Sequence, residues 1–123
     1  MTSLRYVGDT SVVVQALVAE TYSPQVKNLL AGLNIPSQPA QLWIPDYCLV
    51  ECSNVLWSQS RFNGMDQVQV ETHLQRLLSL PFHIASSRVL LPLTMKIALS
   101  QTITTYDAGF LALAKKTQMR FDH

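Results

Sequence analysis

Short apolar blocks alternate with longer stretches of helical periodicity along this chain, and the alternation predicts its elements. Leu4 to Val7 reads as a short strand, Gly8-Asp9-Thr10 turns out of it, and Ser11 to Ala19 reads as a helix. Ser23-Pro24 opens a second helix, because Ser is a favoured cap and Pro suits the first helical position. Its apolar face is Val26, Leu29, Leu30 and Leu33, and Pro36 to Ala40 is a loop. Gln41 to Ile44 predicts a strand, ended by Pro45, and Asp46 is placed to cap a helix from Tyr47 to about Gln59. A turn at Phe62-Asn63-Gly64 leads to an amphipathic helix, Asp66 to Leu80, with its stripe at Val70, Leu74, Leu77 and Leu78. Phe82 to Ala85 is a third strand. Ser86 or Ser87 caps a helix to about Gln101, within which Pro92 either introduces a kink or marks the true start. A last helix from Tyr106 to Lys116 precedes a short strand candidate at Met119-Arg120-Phe121. Strands that alternate with helices argue for an α/β fold with a mainly parallel sheet.

Composition narrows the picture without changing it. A chain of 123 residues predicts one domain spanning 1–123, and a hydrophobic share of 48% suits a packed core. No apolar run approaches the about 18 residues of a membrane span. The first residues lack a basic region followed by an apolar stretch, so a cytoplasmic location is expected by default. A net charge of +1 confines any phosphate contact to local clusters, such as Lys115-Lys116 with Arg120, or Arg61. Cys48 and Cys52, at i and i+4 on one helix, read as reduced thiols packed in the core and not as a disulfide framework.

Candidate chemistry lies in the acids. Of eight carboxylates, Asp9, Glu51 and Asp107 each sit in an otherwise apolar segment, and no Lys or Arg adjoins Glu51 or Asp107 in sequence. Ionised acids are almost never buried without a partner. In an open α/β sheet ligands gather beyond the carboxyl ends of the strands, and all three acids are expected at that edge. Oxygen donors without a His or thiolate cluster suit Mg²⁺ or Mn²⁺. Plainer duties are also open: Asp9 as a helix N-cap, Asp107 as an acid favoured by a helix dipole, Glu51 as a solvated side chain. Asn54, at i+3 from Glu51, shares its helix face. The dispersed glycines form no phosphate-cradling loop, and neither Ser11 nor Ser53 has an evident His partner. His83, in an apolar strand, reads as a core or edge histidine.

At these residues the chain resembles a PIN-domain protein of the VapC-like toxin-ribonuclease type. The matching segments are Gly8-Asp9-Thr10-Ser11-Val12 after the first strand, Pro45 through Glu51-Cys52-Ser53-Asn54-Val55-Leu56, and Tyr106-Asp107-Ala108 leading into Leu111-Ala112-Leu113-Ala114. The resemblance implies a three-layer α/β/α fold and a Mg²⁺- or Mn²⁺-dependent endoribonuclease. It implies Asp9, Glu51 and Asp107 as catalytic and metal-binding acids, with Ser11 and Asn54 in support. Implied partners are an RNA substrate, an antitoxin protein and a second copy of the chain. The resemblance is C-terminally shortened: Asp122 comes early after Asp107 and has no Thr or Ser two places before it, which makes it the weakest metal candidate. The alternative is a non-catalytic PIN-like module that binds RNA or protein and lacks the fourth acid. A receiver-like reading, with Asp9 as phosphoacceptor, lacks the acidic pair and the late Lys that it needs.

Overall fold

The computed structural model describes residues 5–18, 41–117 and 120–122. The helix expected from Pro24 and the loop from Pro36 lie outside them. Four strands, β1 (Arg5–Gly8), β2 (Gln41–Pro45), β3 (Phe82–Ala85) and β4 (Arg120–Asp122), form one sheet in the order β3-β2-β1-β4. Every pairing is parallel, so all strand carboxyl ends lie on one edge. The helices are α1 (Thr10–Val18), α2 (Tyr47–Asn63), α3 (Gln67–Ser79), α4 (Ser87–Gln101) and α5 (Thr105–Thr117). They fall into two groups: α1 packs against α2 and α3, whereas α5 packs against α4 and on β1 and β2. The parallel α/β class is the one that the element order predicts, and the architecture is the three-layer α/β/α sandwich that the resemblance implies.

The main core joins both layers to the sheet through Val7, Val13, Ile44, Leu77, Phe110 and Leu113, among others. Central strands buried on both faces read as continuous apolar runs, which is why Val7 and Ile44 are wholly buried. A second cluster of small residues, Ala98, Ala108 and Ala112 with Ile97, lets α4 and α5 approach closely. Among the described residues no helix is long and apolar enough to cross a membrane.

Several sequence expectations are corrected. Asp46 occupies the position before α2 in helical geometry and makes no side-chain cap bond to that helix. Its Oδ2 instead accepts from the Ser87 N–H, 3.1 Å away at the start of α4, so it ties two helices together. The α2 helix continues a turn beyond Gln59 to Asn63, and ends where Gly64 adopts φ 76°, a left-handed conformation open to glycine without strain. Leu78 is 62% exposed: of the expected α3 stripe only Leu77 is buried, with Leu74 half-buried beside it. Pro92 lies inside α4, whose start at Ser87 is capped by Ser86. His83 is an exposed edge residue stacked on Trp43 at 5.0 Å. The final strand forms one residue later than its candidate and places the Asp122 backbone opposite Gly8.

Candidate active site

The site is built at the carboxyl edge of β1 and β2. The strand order runs from β1 outward through β2 and β3 on one side and to β4 on the other, so the edge of β1 is where the connections reverse. That is the position where open α/β sheets bind ligands. Asp9 is the first residue beyond β1, and its carboxylate caps α1: Oδ1 accepts from the Val12 N–H at 3.1 Å and from the Ser11 hydroxyl at 2.9 Å. The plain capping duty is thus realised, with the Ser11 hydroxyl on the same carboxylate oxygen. Half-buried Glu51, one turn into α2, does not simply face solvent: its Oε1 accepts from the Thr10 hydroxyl at 2.9 Å. Thr10 therefore carries the link between the first residues of α1 and the acid of α2, a role that sequence reasoning missed.

Asp107 stands exposed in the first turn of α5, where its N–H donates to the Thr104 hydroxyl at 3.1 Å. An acid there meets the helix dipole favourably. What joins Asp107 to Glu51 is Tyr47, also missed in the sequence. Tyr47 and Glu51 are one turn apart on α2. The Tyr47 hydroxyl crosses to α5 and donates to the Tyr106 carbonyl at 2.6 Å. Its ring packs edge-on against Tyr106 and Phe110. Gly109 makes this possible, because a Cβ at that position would collide with the Tyr47 hydroxyl. The signal in the sequence is Gly109 itself, an otherwise unexplained glycine inside a helix.

Burial pushes the Tyr47 phenol well up from its ordinary value, and the negative charges of Glu51 and Asp107 push in the same direction. The phenol stays a neutral donor. Beneath it Cys48 and Cys52 are wholly buried free thiols, and Thr10 lies 3.7 Å from the Cys48 sulfur. A hydrogen bond with Cys48, together with burial, holds Cys52 in the thiol form. Both thiols are core residues, as expected.

Glu51 and Asn54 line a cavity of about 550 Å³ whose other walls are Thr10, Tyr47, Val50, Val55 and Tyr106. Asn54 is exposed there, on the face it shares with Glu51. Among the described residues, no three His, Cys, Asp or Glu side chains are grouped closely enough to hold one metal ion together. The donor chemistry still fits a hard cation, since Asp9, Glu51 and Asp107 offer carboxylate oxygens only. Mg²⁺ in particular is usually held by one or two carboxylates and retains several waters.

No family model and no curated protein matches the sequence. Solved structures do match the fold. PAE2754 from Pyrobaculum aerophilum aligns with a TM-score of 0.70 at 19% identity, over 96% of this chain and 72% of that one. VapBC2 from Rickettsia felis, solved with a fragment of promoter DNA, aligns with a TM-score of 0.66 at 14% identity, over 96% of this chain and 85% of that one. VapC20 of Mycobacterium tuberculosis, a toxin that cleaves the sarcin–ricin loop, aligns with a TM-score of 0.60 at 17% identity, over 95% of this chain and 89% of that one. The chain has the three-layer PIN fold of these structures.

Proposed function

We propose that this chain is a Mg²⁺- or Mn²⁺-dependent endoribonuclease, the toxin component of a toxin–antitoxin pair, that hydrolyses RNA phosphodiester bonds. The observation that carries the reading is the placement of Asp9 and Glu51 at the carboxyl edge of the sheet in a VapC-type fold. Asp9, Glu51 and Asp107 are the acids that would bind the ion, directly or through the waters it retains. Asp122, whose backbone adjoins Gly8 on a three-residue strand, is a weaker fourth candidate. A bound divalent ion supplies an activated water and neutralises phosphate oxygens. The chain's own residues orient the acids. Thr10 occupies one oxygen of Glu51 and leaves the other to a cation, Ser11 braces Asp9, and Tyr47 ties the helix of Glu51 to that of Asp107. By analogy with the VapBC2 assembly, an antitoxin protein is the expected partner, and a second copy of this chain is a further one. The cytoplasm is the expected compartment.

A second reading is a non-catalytic PIN-like binding module, favoured by the exposure of Asp107 and the absence of three grouped ligands among the described residues. Incubation of an RNA pool with the protein, with and without Mn²⁺, separates the two. The nuclease reading expects metal-dependent fragments, abolished by Asp107→Ala and reduced much less by Asp122→Ala. Equal loss in both variants makes Asp122 a full member of the site. No cleavage of any RNA by the wild-type chain gives the lead to the binding module.

A further inference from the structure

We infer that the cavity beside Glu51 is a subsite for one unpaired nucleoside, with Tyr106 as the surface on which its base stacks and Asn54 as the group that reads the base edge. The inference rests on the ribonuclease reading for its biological sense, but its physical basis is separate.

Tyr106 is 59% exposed at the cavity wall. The fold makes use of its carbonyl, which accepts from Tyr47, and any residue would supply that carbonyl. The ring itself is therefore left unexplained by α5. It is held ready by edge-on contact with Tyr47 at 5.7 Å, so ordering it on binding costs little. Val50, 68% exposed, adds an aliphatic surface to the same cavity. One turn on from Val50, on the same helix face, is the Asn54 amide, exposed in the cavity and committed to no hydrogen bond among the described residues.

An aromatic face, an aliphatic wall and a primary amide are the parts by which proteins take an unstacked base. Rings receive its π-face, and an amide offers a donor and an acceptor to its edge. A volume of about 550 Å³ lies within the range of small-ligand sites and leaves room for the sugar as well as the base. With Glu51 on the same wall, a nucleoside seated here has its adjoining phosphodiester beside the acids. Stacking on Tyr106 then decides which bond in a single strand is presented.

Uncharged nucleosides test this without calling on metal or cleavage. Adenosine, guanosine, cytidine and uridine are titrated onto the intact protein, and binding is followed by saturation-transfer NMR. At least one nucleoside should bind through its base protons. Tyr106→Phe should bind within about twofold of wild type. Tyr106→Ala should raise the dissociation constant about fivefold or more, the scale of one lost base–aromatic stack. Asn54→Ala should narrow the differences among the four nucleosides. Should Tyr106→Ala fail to fold, Tyr106→Leu keeps the bulk without the π-face and should show the same loss. Absence of binding by all four nucleosides, or wild-type binding by the Ala or Leu variant, overturns the subsite. An RNA-cleavage assay on the same preparations separates the readings. Cleavage without nucleoside binding removes the subsite and leaves the nuclease. Nucleoside binding through Tyr106 without cleavage leaves the subsite and removes the nuclease.

Discussion

Helices α2 and α3 are neighbours in sequence and pack on each other, yet they obey different rules. Helix α3 is locally self-consistent. Asp66 and Gln69 form a reciprocal capping box, with bonds of 2.8 and 3.0 Å, and Leu74 and Leu77 turn toward the core. Both of its acids have local duties, Asp66 as the cap and Glu71 as the acceptor for the Gln67 amide within the same helix. In α2 the carboxylates ignore such duties. Asp46 stands before the helix and bonds to the start of α4, and Glu51 sits mid-helix, half-buried, bonded to Thr10 across the sheet edge. The polar groups that matter in α2 are satisfied by other elements, so their positions are meaningful only in the folded chain. The contrast teaches where to look: Asp66 is accounted for within its own helix, whereas Asp46 and Glu51 are accounted for only by bonds to other elements.

The contrast can be broken first at its strongest point. Leu77 is buried to 1% exposure while Leu78 beside it is open. Leu77→Ala should cost about 2–5 kcal/mol of unfolding free energy in urea titrations, whereas Leu78→Ala should stay within about 0.5 kcal/mol. Similar losses at both would mean that α3 does not face the core as described.

Next in size is the Gly109 contact that holds α2 to α5. Gly109→Ala forces Tyr47 off its bond with the Tyr106 carbonyl, and should destabilise by about 1–3 kcal/mol as an overpacked site does. In a Tyr47→Phe background the added methyl no longer meets a hydroxyl, so the cost should fall. A double-mutant cycle reads that coupling directly, and an unchanged cost in the Phe background would show that Tyr47 is not what demands the glycine.

The smallest effects sharpen the comparison between the two kinds of acid. Asp66→Ala removes a helix cap and should cost about 1 kcal/mol with no effect on metal response. Glu51→Gln should leave stability within about 0.5 kcal/mol, because an amide can still accept from Thr10. What it should lose is the rise in melting temperature on adding Mn²⁺. An equal Mn²⁺ response in Glu51→Gln and wild type would place Glu51 outside any metal site.

The sequence by itself determined the order of the described elements, the parallel α/β class and the three acids worth following. Those depend on local signals: the apolar runs of the central strands, the Ser86 and Asp66 caps, the 3.6-residue stripe of α3, and charge placed where a core is expected. The end of α2 lies a turn beyond Gln59 because its local stop is the left-handed Gly64, and Leu78 went wrong because periodicity gives a face but not its width. Only the tertiary structure decided what the acids touch. Thr10 on Glu51, Ser87 on Asp46 and Tyr47 on the Tyr106 carbonyl join residues 41, 41 and 59 positions apart. Such bonds leave no periodic trace, since each depends on strand order and helix packing and not on neighbours in the chain. The register of β4 against β1, which brings the backbone of Asp122 beside Gly8, is of the same kind. Backbone pairing chose that position, and no pattern in the last residues announces it.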